Sequence, residues 1–259
     1  MQINRFIAIG DSITEGLSDR LPNNQYRGWA DRVADELCKH TSNFQYANFA
    51  VRGRLLKQIV DEQVSQALKL ATGVDTLISF HAGANNILRP QLNLLEVTEL
   101  YESAVAALSE TNSQIVLFTI REIDSPKNFL QRKWNERFIP FNDNVRKVSA
   151  KYGTLLIDAN KWSVLGDPRM LAADRLHLSS EGHRRMAAGV LNSLDLPHDS
   201  DWLDPLPPMK RKSALLETAQ TFGWALLFLV PWVIRRILQR SSGTNRQPKY
   251  PELTTWPRH

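Results

Sequence analysis

The sequence predicts an α/β protein of three layers, α/β/α, in which helices cover both faces of a five-stranded parallel sheet. Two observations predict this class. Five short apolar runs recur along the chain, and a longer segment with helical periodicity follows each of them. The runs are apolar almost throughout, rather than at alternate positions, which is typical of strands buried on both faces. The five predicted strands are 6–9, 46–50, 76–80, 115–120 and 154–157.

The segments between these runs are predicted to be helices. In the first of them, apolar residues from Trp29 to Leu37 follow the helical period and would form a stripe facing the sheet. The predicted helices are 29–39, 55–70, 95–110, 135–151 and 180–194. Prolines and acidic residues then interrupt both periodicities, which predicts a domain over 1–195, a Pro-rich linker over 196–209 and a C-terminal extension over 210–259.

Composition excludes several classes of function. The 259 residues are 42% hydrophobic and 23% charged, which is ordinary for a globular protein. Much of the net charge of +5 is local to the C-terminal extension, in Lys210-Arg211-Lys212, Arg235-Arg236 and Arg240, so no nucleic-acid partner is predicted. The single cysteine, Cys38, cannot form an internal disulfide, and no basic and apolar leader precedes the first strand. We therefore expect a cytoplasmic protein.

The residues that carry chemistry lie near the two ends of the predicted domain. Ser12, in Gly10-Asp11-Ser12, follows the first strand directly, and Asp174 and His177 stand three residues apart after the last strand. A serine hydroxyl becomes a strong nucleophile when a base removes its proton, and a histidine oriented by a carboxylate is such a base. Each of the three also has a structural alternative, since Ser12 and Asp174 could simply cap backbone N–H groups, and His81 is a rival base.

Two further loops contain groups that could donate hydrogen bonds to an oxyanion. Gly53 follows the second strand, and Asn85, in Gly83-Ala84-Asn85-Asn86, follows the third. Ligands of open α/β sheets bind beyond the carboxyl ends of the strands, and all the candidate residues follow strands. They are therefore predicted to meet at one edge of the sheet. Gly53 as an ordinary turn residue and Asn85 as a link between loops are the alternatives.

These four blocks, in this order, resemble the SGNH hydrolases, also called the GDSL-like lipase/acylhydrolase family, over roughly residues 3–195. The third block departs from the family pattern, because Asn86 stands where an aspartate is common. The resemblance implies a flavodoxin-like strand order of 2-1-3-4-5. It also implies Ser12 as nucleophile, His177 as base and Asp174 as its orienting carboxylate. The implied oxyanion hole is formed by the N–H groups of Ser12 and Gly53 and the side chain of Asn85.

The expected activity is therefore hydrolysis of carboxylic esters, acetyl or other short-acyl esters among them, through an acyl-enzyme on Ser12. A non-catalytic ligand-binding module on the same fold is the alternative. No metal or cofactor is expected, because dinucleotide, P-loop and zinc motifs are missing. The predicted pocket walls are 18–27 and 122–138, and basic residues of the second wall could attract an anionic or sugar-bearing ester or form a solvated face. These are Arg121, Lys127, Arg132, Lys133 and Arg137.

The C-terminal extension contains an apolar segment, 222–234, followed by Arg235-Arg236. It predicts an extra C-terminal helix that is too short to span a bilayer, which needs about 20 apolar residues. We expect this helix to pack against the rest of the chain or against a second copy in a homo-oligomer. Peripheral membrane contact through 222–238 is the alternative.

Overall fold

The computed structural model describes residues 2–22, 24–209, 213–237 and 242–257. The basic residues Lys210-Arg211-Lys212 and Arg240, and the last position of the segment 222–238, lie outside the described residues. No helix among the described residues is long and apolar enough to cross a membrane.

The predicted parallel sheet is confirmed. Its strands are β1 (Arg5–Gly10), β2 (Gln45–Asn48), β3 (Thr76–His81), β4 (Gln114–Phe118) and β5 (Leu155–Ile157). The order across the sheet is β5-β4-β3-β1-β2-β6, so the five parallel strands follow the expected order 2-1-3-4-5. The sequence did not predict the sixth strand, β6 (Tyr250–Thr255), which pairs antiparallel with β2 at the edge.

The helices form two layers, as predicted. Helices α2 (Trp29–Leu37) and α8 (Ser180–Ser193) pack together on one face of the sheet. On the other face lie α3 (Leu56–Gln58), a π-helical turn (Ile59–Val64), α4 (Ser65–Leu70), α6 (Leu94–Ser109) and α7 (Phe129–Tyr152). In β1, Phe6 and Ala8 point into the first layer and Ile7 and Ile9 into the second, because successive strand residues alternate between faces.

Helix α7 begins six residues earlier than the sequence predicted. Asn128 caps it, since its side-chain oxygen accepts a hydrogen bond from the Gln131 N–H at 3.0 Å. The first two turns carry exposed Phe129 and Leu130. Apolar residues on solvent give no helical stripe, which is why periodicity placed the start too late.

The segment 196–209 has no helix or strand, as expected of a linker, but it is docked on the domain. Arg184 of α8 forms ion pairs with Asp199 and Asp201 at 2.7 and 2.9 Å. Trp202 is buried edge-on against the ring of Trp162, with 4.8 Å between ring centroids. The linker therefore follows one path over α8.

The extra C-terminal helix is present. It consists of α9 (Ala214–Trp224), a π-helical turn (Ala225–Leu229) and α10 (Val230–Ile237), which follow one another without a break. We call residues 214–237 the C-terminal helix. Two single-turn helices, α1 (Ser12–Glu15) and α5 (Ala84–Ile87), follow β1 and β3 and complete the edge of the sheet where the candidate residues lie.

Candidate active site

Ser12 is the first residue of α1, immediately beyond the carboxyl end of β1. Asp11 caps this helix, and its carboxylate accepts a hydrogen bond from the Ile13 N–H. The chain passes very close to β3 here, because a Cβ on Gly10 would lie 2.6 Å from the carbonyl oxygen of His81. The glycine thus allows the turn that carries Ser12 into the crevice, where only 8% of the residue is exposed.

The structure brings Ser12, His177 and Asp174 into one chain of hydrogen bonds. The Nε2 atom of His177 lies 2.9 Å from the Ser12 Oγ. Its Nδ1 atom lies 2.6 Å from the Oδ2 atom of Asp174. Ser12 and His177 are 165 positions apart in the sequence, so the fold alone creates this contact. The arrangement allows His177 to receive the serine proton while Asp174 holds the imidazole in place.

A tight turn fixes Asp174 relative to His177. The Oδ1 atom of Asp174 accepts hydrogen bonds from the backbone N–H groups of Leu176 and His177, both at 3.0 Å. Burial would raise the pKa of the Asp174 carboxyl, but these bonds and the bond from the His177 ring outweigh burial and hold the pKa below its usual value. The turn-capping alternative for Asp174 is therefore real, and one carboxylate both caps the turn and holds the imidazole.

Helix α8 anchors the other side of this turn. Ser179 caps α8, since its hydroxyl accepts a hydrogen bond from the Gly182 N–H at 3.1 Å, and donates one to the carbonyl of Arg169 at 2.7 Å. The Ser179 N–H donates to the Met170 carbonyl at 2.8 Å. His177 is therefore held two residues before a helix terminus that is itself bonded to the preceding loop.

Asn85 lies in the same crevice and is bonded to the loop before Ser12. Its Nδ2 atom donates to the Asp11 Oδ2 at 2.9 Å and to the carbonyl of Arg54 at 3.2 Å. Burial raises the pKa of the Asp11 carboxyl to about 6, while the bond from Ile13, the nearby His177 and the bond from Asn85 oppose the rise. The linking role foreseen as an alternative for Asn85 is thus present in the structure.

Gly53 stands in the left-handed region, with φ of +73°, where residues other than glycine are rare. It lines a groove of about 810 Å³ next to Asn86 and Arg89, and not the cavity that holds Ser12 and His177. The preceding residue, Arg52, ties this loop to α1. Its backbone N–H donates to the Glu15 carboxylate at 2.7 Å, and its guanidinium forms a buried ion pair with the same group.

Two other histidines are buried, and each is accounted for separately. His81, the rival base, lines the Ser12 cavity and packs on Phe118, but among the described residues no hydrogen bond joins it to Ser12. Burial lowers its pKa to about 4. His183 links two elements, because its Nδ1 accepts from the Trp29 N–H and its Nε2 donates to the Leu17 carbonyl.

A cavity of about 350 Å³ opens beside Ser12 and His177. Its inner wall is apolar, and charged groups stand in the rest of the lining. The apolar set includes Leu88, Trp134, Phe138, Leu165 and Met186, and the charged set, besides Asp11 next to Ser12, is Arg121, Glu122, Asp124, Asp167 and Arg175. Of the two predicted walls, 122–138 contributes and the described residues of 18–27 do not.

The basic residues of 121–137 are mostly paired within the chain. Arg121 forms an ion pair with Asp124, and Lys133 forms one with Glu136. Arg137 donates to the carbonyls of Ile87 and Arg89 at 3.0 and 2.7 Å. Only Arg121 of this set lines the cavity. Lys127, Arg132 and Lys133 are exposed, so the structure favours the solvated-face interpretation for these three.

Sequence reasoning missed three residues that hold the site together. Glu15 binds Arg52 and so joins the first and second blocks. Gln63 makes a two-way pair with the backbone of Gly10, at 2.9 and 3.1 Å. Trp224 of the C-terminal helix donates from its Nε1 to the Asp174 carbonyl at 2.9 Å.

The sequence profile of the GDSL-like Lipase/Acylhydrolase family matches residues 8–185, which is more than half of the chain. The chain belongs to this family. The match takes in every block of the candidate site, from Ser12 to His177, and confirms the resemblance stated from the motifs. No curated protein sequence matches this GDSL-like family member.

Solved structures with the same fold include several esterases. A variant of Axe2, an acetyl xylan esterase from Geobacillus stearothermophilus, has a TM-score of 0.63 at 19% identity, over 77% of this chain and 99% of its own. LAE5, an alpha/beta hydrolase enzyme from the metagenome of Lake Arreo, has a TM-score of 0.60 at 20% identity, over 74% of this chain and 95% of its own. The psychrotrophic esterase EstA from Pseudoalteromonas sp. has a TM-score of 0.56 at 16% identity, over 74% of this chain and 97% of its own. At these identities the likeness shows the fold.

Proposed function

We propose that this GDSL-like family member is a serine hydrolase of carboxylic esters that works through an acyl-enzyme on Ser12. The observation that carries the proposal is the pair of contacts made by one imidazole. Its Nε2 lies 2.9 Å from the Ser12 Oγ, and its Nδ1 lies 2.6 Å from the Asp174 Oδ2. These distances are within reach for proton transfer and for orientation of the base.

The reaction follows from this geometry. The Ser12 Oγ attacks the ester carbonyl while His177 takes its proton at Nε2, and Asp174 stabilises the imidazolium. The tetrahedral intermediate collapses as His177 passes the proton to the departing alcohol, which leaves the acyl group on Ser12. Water, deprotonated by His177, then attacks the acyl-enzyme, and the second tetrahedral intermediate releases the acid and returns the proton to Ser12.

The proposed oxyanion hole consists of the backbone N–H groups of Ser12 and Gly53 and the side-chain amide of Asn85. A tetrahedral oxyanion is stabilised when donors fixed in a dry site point at it. The Asn85 amide is held at the crevice by hydrogen bonds to Asp11 and to the Arg54 carbonyl. Because Arg54 follows Gly53 directly, the second bond joins the Asn85 loop to the Gly53 loop. We infer that an Asn85 N–H is shared with the oxyanion as charge develops.

Acetyl and other short-acyl esters are the proposed substrates. The cavity beside Ser12 is near the lower end of the range for small-molecule pockets, about 300 to 1,000 Å³. Its apolar inner wall suits an acyl group, and its charged residues suit a polar alcohol. The structural likeness to Axe2, an acetyl xylan esterase, supports the acetyl end of this range.

The test is turnover of p-nitrophenyl acetate by purified variants. Ser12→Ala and His177→Ala are expected to lower kcat by at least about 1,000-fold, with circular dichroism unchanged. Exposed Ser163→Ala and His40→Ala are the matched controls. Hydrolysis by either site variant at the wild-type rate would refute the proposal. Binding of ester without hydrolysis by the wild type would instead favour the ligand-binding module.

A further inference from the structure

The C-terminal helix, residues 214–237, presents an apolar face to solvent. Phe222, Leu226, Val230 and Val233 are 66%, 53%, 44% and 39% exposed. Their spacing of four, four and three residues places them on one side of a helix. Exposed Leu227 and Ile234 border the same side. A continuous apolar surface of this kind on a folded chain marks an interaction site.

The opposite side of this helix contacts the turn at residues 174–177, which we call the catalytic turn. Trp224 is two positions from Phe222 and therefore points away from the apolar face. Its Nε1 donates to the Asp174 carbonyl at 2.9 Å, and its ring lies 4.9 Å from the Arg175 guanidinium carbon. Arg175 itself lines the cavity beside Ser12. The apolar face therefore lies on the outside of a helix whose inner side touches the rim of the site.

Charge at both ends of the helix indicates the partner. In the sequence, Lys210-Arg211-Lys212 precede it and Arg235-Arg236 and Arg240 end it, whereas Glu217 is the sole acidic residue from 210 to 240. Apolar residues between basic ends are typical of helices that lie in the surface of an anionic membrane. A second copy fits less well, because parallel or antiparallel pairing of two such helices places basic ends beside basic ends.

We propose that the C-terminal helix binds the surface of membranes that contain anionic phospholipid, with its apolar face in the lipid and Trp224 on the catalytic turn. The helix lies along the surface and does not cross the bilayer. If the proposed ester hydrolysis is correct, on which this last step rests, the helix holds the rim of the cavity at the lipid surface. The site then receives esters presented by the membrane.

The test is sedimentation of the full-length protein with vesicles. The probe is a set of phosphatidylcholine vesicles with and without about 30% phosphatidylglycerol, an anionic phospholipid. We expect binding to the anionic vesicles, weakened by salt and by omission of phosphatidylglycerol. The double variant Leu226→Glu/Val233→Glu should bind at least about tenfold more weakly, because two charges replace apolar contacts. Thr221→Glu, which adds a charge at an exposed position on the same helix, is the matched control.

Three outcomes would overturn the proposal. One is a wild-type protein that stays in solution with anionic vesicles, and another is a double variant that sediments as well as the wild type. The third is a stable wild-type dimer that the double variant dissociates, without vesicle binding, since a second copy would then cover the face. Ser12→Ala should bind vesicles like the wild type, and the double variant should hydrolyse soluble p-nitrophenyl acetate like the wild type. Failure of the membrane proposal is thus distinguishable from failure of the proposed chemistry.

Discussion

Asp11 lies beside Ser12, the proposed nucleophile, and we expect it to make the candidate site sensitive to pH. It is buried, it accepts a hydrogen bond from Asn85, and its charge acts on the nearby His177. Burial raises its pKa to about 6, so it becomes protonated just below neutral pH. Protonation removes a negative charge that stabilises the imidazolium and weakens the acceptor that positions Asn85.

We therefore predict that Asp11→Asn lowers kcat/KM for p-nitrophenyl acetate at pH 8 on the order of tenfold to a hundredfold, through displaced groups and lost charge. The deficit should shrink as the pH falls through about 6, because the wild-type carboxyl is then neutral as well. Parallel pH–rate profiles give the ratio of the two enzymes directly. A ratio that stays constant from pH 5 to pH 8 would show that Asp11 does not act through its charge. Asp61→Asn on the surface is the control.

We expect the buried His183 to make the free energy of unfolding depend on pH. Burial lowers its pKa to about 4, and its ring accepts from Trp29 and donates to Leu17. Between pH 6.5 and 4, His183 binds a proton in the unfolded chain but not in the folded chain. The stability that comes from the neutral, buried ring is therefore fully present above pH 6.5 and is lost as the pH falls towards 4. His183→Gln should be less stable at pH 8 and lose less stability on acidification. Urea unfolding at pH 8, 6 and 4.5 measures the free energy of unfolding of both proteins. If this free energy falls equally with pH in the wild type and in His183→Gln, His183 is not the source of the pH dependence.

Sequence spacing predicted the candidate residues that the structure brings together, but not the residues that support them. Ser12, Asp174 and His177 stand in recognisable blocks, because the roles proposed for them require particular residue types directly after strands. The ion pair of Glu15 with Arg52 and the bond from Trp224 to Asp174 join positions that only tertiary folding brings together. No local pattern encodes such contacts, so the sequence alone could not reveal them.

Among the elements, the strands were the most predictable. A strand buried on both faces is apolar at nearly every position, which is a strong signal. The start of α7 depended on the Asn128 cap, and β6 is a six-residue edge strand containing Pro251. A proline is tolerated there because an edge strand has N–H groups without partners in the sheet. Such a strand has no apolar run and was therefore missed.

The contact between α8 and the loop before Asp174 sets the position of His177. A Cβ on Gly182 would lie 2.2 Å from the Met170 carbonyl oxygen. We predict that Gly182→Ala forces these segments apart, costs on the order of 1–3 kcal/mol and lowers esterase activity by moving His177. Gly223→Ala, where the Cβ would meet nothing within 4 Å, should be neutral or stabilise by up to about 1 kcal/mol. Thermal unfolding and esterase assays of both variants test the prediction. Equal melting temperatures and equal activities for Gly182→Ala and Gly223→Ala would contradict it.

For the whole molecule, the segment 242–257 closes the edge of the sheet. Strand β6 covers β2, and Trp256 donates from its Nε1 to Asp35 at 2.8 Å and packs edge-on against Tyr46, with 5.0 Å between centroids. The C-terminal extension is thus part of the fold that carries the candidate site. An open β2 edge would expose N–H and C=O groups able to pair with another chain.

We predict that Trp256→Ala destabilises the protein by about 2 kcal/mol, since a half-buried aromatic ring and a hydrogen bond are lost. The melting temperature should fall by about 2–4 °C per kcal/mol for a chain of this size. Glu252→Ala, exposed on β6 four residues before Trp256, is the control. An unchanged melting temperature for Trp256→Ala would mean that the closing strand contributes little.

The central claim is that the fold places an imidazole so that it activates Ser12, and covalent labelling tests it most directly. We predict that an ethyl fluorophosphonate forms a single adduct with the intact protein, located on Ser12 by peptide mass spectrometry. The adduct should be missing in Ser12→Ala and form far more slowly in His177→Ala. An adduct on another residue, or no adduct on the folded wild-type protein, would contradict the account.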